Sequence, residues 1–95
     1  MNFGTNFEPK TSRPHPVDES GTQHIFQFPN GYGASVVRFK WSYGGHRSLW
    51  ELAVIKFRGD DWDINYQTPI TDDVIGYLSE DRVAELLNDI AALPA

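Results

Sequence analysis

Asp61, Asp63, Asn65 and Asp72 stand at positions 1, 3, 5 and 12 of a calcium-loop spacing, which wraps carboxylate and amide oxygens around a hard cation. The rest of that chemistry is missing. Position 6 needs glycine for a sharp turn and holds Tyr66, while position 12 needs a bidentate glutamate and holds an aspartate. Alternation of Trp62, Ile64 and Tyr66 with Asp63 and Asn65 explains the acids as the outward side of a strand, so neither a metal nor another cofactor is expected.

General acid/base or nucleophilic chemistry would have to start from His15, His24 or His46, and none has a Ser, Cys or paired carboxylate at suggestive spacing. His15 lies between Pro14 and Pro16, where extended backbone is favoured. A hydrolase or metal enzyme would require His24, His46 and the Asp60 to Asp63 acids to meet at one sheet end. Hairpin order argues against this, because the turns at Gly45-His46 and Gly59-Asp60 fall at opposite ends of one strand. Asp72-Asp73 suit the positive end of a helix and need no catalytic explanation. Gly31, Gly33, Gly44 and Gly45 lack the Lys-Ser/Thr and following helix of a phosphate loop. No catalytic residue is assigned, and the chain reads as a non-enzyme.

Arg38, Lys40, Arg47, Lys56 and Arg58, interleaved with Tyr43 and Trp50, could form a basic sheet face for nucleic acid. The expected register sends Trp50 to one face and Arg38 and Lys40 to the other, so cations and aromatics are segregated. The overall charge of -5 also opposes phosphate attraction. That charge is unevenly spread, with seven Lys/Arg against four Asp/Glu in residues 1–59 and one Arg against nine acids in residues 60–95. Such a split provides an acidic surface for a basic partner, a basic one for an anionic partner, or ordinary solvated faces.

These residues must be positioned by one domain. Ninety-five residues, 40% hydrophobic and 14% aromatic with three Trp, supply one well-packed core. The absence of Cys removes disulfides and thiolate chemistry and suits a reducing cytoplasm. No apolar run reaches the roughly 20 residues of a membrane span, and Met1 to Lys10 lacks an export signal. The expected location is therefore the cytoplasm, without membrane attachment.

Residues 1–22 carry three Pro and little apolar periodicity, which predicts a flexible arm, with Phe3 and Phe7 able to dock on the parent domain. Residues 23–95 predict a single α+β domain, a four-stranded antiparallel meander with one or two C-terminal helices on one face. The first strand runs from His24 to Phe28, and Asn30-Gly31 supplies a two-residue hairpin turn that sets Phe26 opposite Ser35. Trp41 opposite Trp50 would put Phe39 against Leu52, Val37 against Val54 and Lys40 against Glu51. The third strand, Ser48 to Phe57, is apolar on both sides and should be central. A fourth strand carries Trp62, Ile64 and Tyr66. Its register stays open between a two-residue loop pairing Ile64 with Ile55 and a three-residue loop. Thr71 could cap a short helix, and Ser79 caps a second one with a Val83, Leu86, Leu87, Ile90, Leu93 stripe and a Leu78 to Val83 staple, ended by Pro94.

The runs GYGASVV (Gly31 to Val37), SYGG (Ser42 to Gly45), LWELAV (Leu49 to Val54) and TPITDDVIGYL (Thr68 to Leu78) resemble, as an ordered set, a family of small uncharacterised proteins encoded by phages of actinobacteria. The resemblance covers about residues 24 to 93. It implies a phage or prophage setting, hence a host cytoplasm, and no catalytic residues.

The function expected is that of a non-enzymatic phage accessory protein that binds a host or phage protein. Val36, Ile55 and Phe57, rimmed by Arg38, Lys40 and Glu51, would form an apolar patch for a partner or for homodimerisation. Two alternatives use other surfaces. Glu80, Asp81, Glu85 and Asp89 would line an acidic helical face able to mimic nucleic acid and inhibit a host defence nuclease, and the basic sheet face would bind nucleic acid directly.

Overall fold

The computed structural model describes residues 1–39 and 49–95. Among these, the chain runs β1 (Thr11–Pro14), β2 (Thr22–Gln27), β3 (Tyr32–Arg38), β4 (Trp50–Arg58), β5 (Asp61–Ile64), β6 (Ile75–Leu78) and α1 (Glu80–Ala91). The sheet is antiparallel in the order β1-β2-β3-β4-β5, with β6 also pairing to β4. It is α+β, as expected, with six strands among the described residues in place of four and with a single helix. No described helix is long and apolar enough to cross a membrane.

The β2–β3 hairpin fixes which residues enter the core. Its loop is Pro29-Asn30-Gly31, three residues rather than two. Gly31 N–H donates to Phe28 O at 3.1 Å, Phe28 N–H donates to Tyr32 O at 2.8 Å, and Gly31 takes the left-handed φ of +88°. This is the three-residue hairpin in which a tight turn is followed by a left-handed glycine. Pro29 favours it, since the ring presets the first turn position. The extra loop residue moves the register by one, so Phe26 faces Ala34 and Ile25 faces Ser35.

A one-residue slip exchanges the two faces of a strand. Ala34 and Val36, rather than Val37, therefore join Phe26 and Phe28 in the main core, opposite Val54 and Leu52. The expected pairing of Val37 with Val54 is corrected to Val37 with Glu51. Phe39 does not face Leu52 but stacks on His15, ring centres 3.8 Å apart. The expected Trp41–Trp50 and Lys40–Glu51 pairs and the Gly45-His46 turn lie outside the described residues.

Strand β4 is central, apolar on both sides and paired to β3 on one flank and to β5 and then β6 on the other. A two-residue loop, Gly59-Asp60, joins β4 to β5 and settles the open register as Ile64 opposite Ile55. Past Asn65, whose N–H still donates to Val54 O at 2.8 Å, this flank is no longer paired and the Trp50–Leu52 end of β4 needs another neighbour. Residues 75–78 supply it as β6, where the sequence predicts a short helix. Thr71 caps no helix; its hydroxyl closes a tight turn, accepting from Asp73 N–H at 3.1 Å and donating to Asp73 O at 3.0 Å. β-branched Ile75 and the unpaired flank of β4 favour the strand.

Ser79 caps α1 as expected, accepting from Arg82 N–H at 3.2 Å with Glu80 and Asp81 in the first turn. Val83, Leu86, Leu87 and Ile90 are buried over β3, β4 and β6. Residues 1–22, read from sequence as an arm, contain β1 and two docked rings. Phe3 is 5% exposed against Trp50 and His24, and Phe7 packs on Phe28. Thr11 to Pro14 lack the apolar alternation that announces a strand. Backbone pairing and two cross-strand contacts hold it, Ser12 Oγ at 2.7 Å from His24 Nδ1 and Arg13 Nε donating to Gln23 Oε1 at 2.8 Å.

Candidate functional site

With α1 covering one side, the sheet curls into a half-barrel whose edges approach on the other side. Lys10, just before β1, reaches Asp60 in the β4–β5 loop at 3.5 Å and lies 5.1 Å from the Phe57 ring centre. Strand alternation then directs Arg13, Gln23, Val37 and Glu51 onto this concave side as one cross-strand row, with Ile25, Ser35 and Ala53 in the next.

Two recesses open there, and Trp62 of β5 lines both. The smaller lies among Lys10, Arg13, Ile25, Phe57 and Asp60. The larger is a cleft of about 190 Å³ with Gln23, Ser35 and Ala53 beneath it and Val37, Glu51, Ile64, Val74 and His15 around it. Gln23 and Ser35 are polar yet almost fully buried, 6% and 7% exposed, and they bond to each other, Gln23 Nε2 donating to Ser35 Oγ at 3.0 Å. Arg13 completes the chain from the rim. An amide has two N–H donors and a hydroxyl one, so this floor retains donor capacity toward the cleft. Ile64, 49% exposed, and half-buried Val74 offer apolar contact at the mouth.

His15 borders the cleft with its ring stacked on Phe39 and its Nδ1 accepting from Val17 N–H at 3.1 Å. Desolvation lowers its pKa; Asp18 opposes this and Arg13 reinforces it. His24 faces the other way, into the core beside Trp50 and Phe3, and desolvation lowers its pKa too, with the amino terminus and Arg38 acting in the same sense. The two imidazoles thus sit on opposite sides of the sheet. Among the described residues no group of three or more His, Asp or Glu side chains could hold a metal ion.

Compared with protein-family models, with curated proteins and with solved structures, the chain finds no match. Its functional reading therefore comes from geometry.

The expected apolar patch is not assembled. Val36 is 0% exposed beneath α1, because the hairpin register turns it inward. Ile55 and Phe57 do lie on the concave side, at 0% and 9% exposure, but Trp62 packs on them and Lys10 covers the Phe57 ring. Arg38 lies over the Trp50 ring at 4.4 Å, on the helix side, and Lys40 falls outside the described residues. Glu80, Asp81, Glu85 and Asp89 are exposed on α1, with Arg82 bonded to Glu85 at 2.7 Å. They are thus on the face away from the cleft. Sequence reasoning missed Arg13, Gln23, Ser35 and Val37 as a group, since only the three-residue loop brings them onto one face.

Proposed function

We propose that this chain is a small non-enzymatic binding module, a phage accessory protein in the setting its sequence resemblance implies, that grips another protein on its concave face. The observation carrying this reading is the cleft itself, in which a buried Gln23–Ser35 hydrogen-bonded floor lies beneath Trp62, Ile64 and Val74. Apolar walls around a few fixed polar groups are the common make-up of a recognition site. An apolar side chain of the partner would lie against Trp62 and Ile64, while its backbone carbonyl would accept from the floor.

The test compares capture of the same host or phage protein by three forms of the chain. Ile64→Asp with Val74→Asp, both at the cleft mouth, should abolish capture without unfolding the domain. Reversal of Glu80, Asp81, Glu85 and Asp89 to Lys should leave it intact. The opposite pattern would displace this reading in favour of a nucleic-acid mimic on α1, for which the exposure of those four acids speaks.

A further inference from the structure

The attachment of residues 1–8 to the rest of the domain is of an unusual kind. Every hydrogen bond these residues make among the described residues stays within the segment. Asn2 O accepts from Thr5 N–H and Oγ1, Asn2 Oδ1 accepts from Gly4 N–H, Thr5 Oγ1 accepts from Phe7 N–H, and Asn2 Nδ2 donates to Glu8. The first backbone bond to the sheet comes only at Lys10, whose N–H donates to Ile25 O at 2.7 Å. The segment is a self-contained turn held by two rings. Phe3 stands edge-on to Trp50 at 5.0 Å and to His24 at 5.8 Å, and Phe7 stands edge-on to Phe28 at 4.8 Å.

We propose that residues 1–8 are a releasable strap over a preformed aromatic trough, and that a proton taken up by His24 lifts it. The trough is formed by His24, Phe26, Phe28 and Trp50, all belonging to β2 and β4 or the adjoining hairpin, so it persists when the strap leaves. Release also relieves local costs. Phe3 is held at a left-handed φ of +56°, a conformation that side-chain-bearing residues rarely adopt. Among the described residues the buried Nε1–H of Trp50, whose ring Phe3 meets edge-on, has no acceptor.

His24 is placed to act as the trigger because charge is poorly accommodated there. Its ring is 6% exposed, beneath Phe3. The charged groups that act on it are cations, the amino terminus from the strap and Arg38 from β3, while its neighbours Ser12 on β1 and Trp50 on β4 are uncharged. Glu8, the strap's carboxylate, bonds Asn2 instead. Lifting the strap opens the imidazole to water and removes the amino terminus, so the released form binds the proton more tightly. Burial already biases His24 toward its neutral form, in keeping with that preference. One linked proton raises the released-to-docked ratio by up to about tenfold per pH unit between the two His24 pKa values. The device is independent of the concave cleft, which lies on the other face.

Heteronuclear {1H}-15N NOE measurements on the full chain at pH 7.5 and pH 5.0 test the proposal. The wild type should show residues 2–8 rigid at the higher pH and mobile at the lower, while β2, β3 and β4 keep native amide shifts. His24→Phe, which keeps an aromatic ring without a titrating nitrogen, should hold the strap at both pH values. Phe3→Ala should release it at both. A strap that stays rigid in the wild type at pH 5.0 overturns the proposal, as does equal release in His24→Phe or release only together with unfolding of the sheet. Should His24→Phe not fold, His24→Gln takes its place with the same expected result.

Discussion

The side-chain amide of Asn30, at the tip of the β2–β3 hairpin, donates to the carbonyl oxygen of Ile90 at 2.9 Å, and it also reaches Ala91 O at 3.2 Å and Leu93 O at 2.9 Å. The last turn of a helix leaves carbonyls without intrahelical partners, and here a residue 60 positions away supplies the donor. Asn30 Oδ1 meanwhile accepts from Tyr32 N–H at 3.0 Å. One side chain thus closes the hairpin and ties it to α1. Asn30→Ala should cost about 1 to 2 kcal/mol in urea unfolding. Asn30→Asp should cost more, since it loses the donors and sets a negative charge at the negative end of the helix. Equal stability of the three proteins would show that the tie carries no weight.

Gly33 is where β3 passes beneath Phe57. A Cβ built there would lie 2.0 Å from Phe26 O and 2.7 Å from the Phe57 ring. Because the first neighbour is backbone, it cannot swing aside. Gly33→Ala should destabilise the domain by about 3 kcal/mol, the upper end of ordinary overpacking, and should lower the thermal midpoint accordingly. A midpoint equal to that of the wild type would mean that β2 and β3 do not pair as described.

The N-cap of α1 gives a smaller effect. Ser79 Oγ accepts from Arg82 N–H, and Ser79→Ala should cost about 1 kcal/mol by denaturant titration, whereas Ser79→Asp should be nearly neutral.

Stability should also depend on pH through the imidazoles. The pKa values of His24 and His15 are both lowered in the folded chain from an ordinary value of 6.5, chiefly by desolvation. The unfolded chain therefore binds protons first on acidification. Their contribution is fully present above the unfolded value and is lost as pH falls below it toward the folded values. Urea midpoints should fall between pH 7.5 and 5.5, and less so in His24→Phe. A midpoint that rises over that interval would contradict the lowered values.

Much of the fold is legible from residue patterns. The Ser79 cap, the Val83 to Ile90 stripe, the centrality of β4 and its two apolar faces all follow from local spacing, because each is set by residues near one another in sequence. What is not legible depends on small local choices with large consequences. Asn30-Gly31 suits either a two-residue or a three-residue loop, and only the second puts Val36 in the core and Val37 in the cleft. Strand β1 has no apolar signature, so Arg13 cannot be placed beside Gln23 from composition. Residues 75–78 turn to strand to fill a flank that exists only once β5 has ended. The expected patch of Val36, Ile55 and Phe57 failed through that one-residue slip and through the cover supplied by Trp62.

The cleft rests on the facing of β3, and methyl NOE spectroscopy of Val36 and Val37 reports it. Val36 methyls should show strong cross-peaks to the core residues packed with it beneath α1, among them Leu52 and Leu87, and Val37 methyls should show none to α1. Val37 in contact with Leu87, and Val36 facing Ala53 and Trp62, would contradict the hairpin register and dismantle the concave site with it.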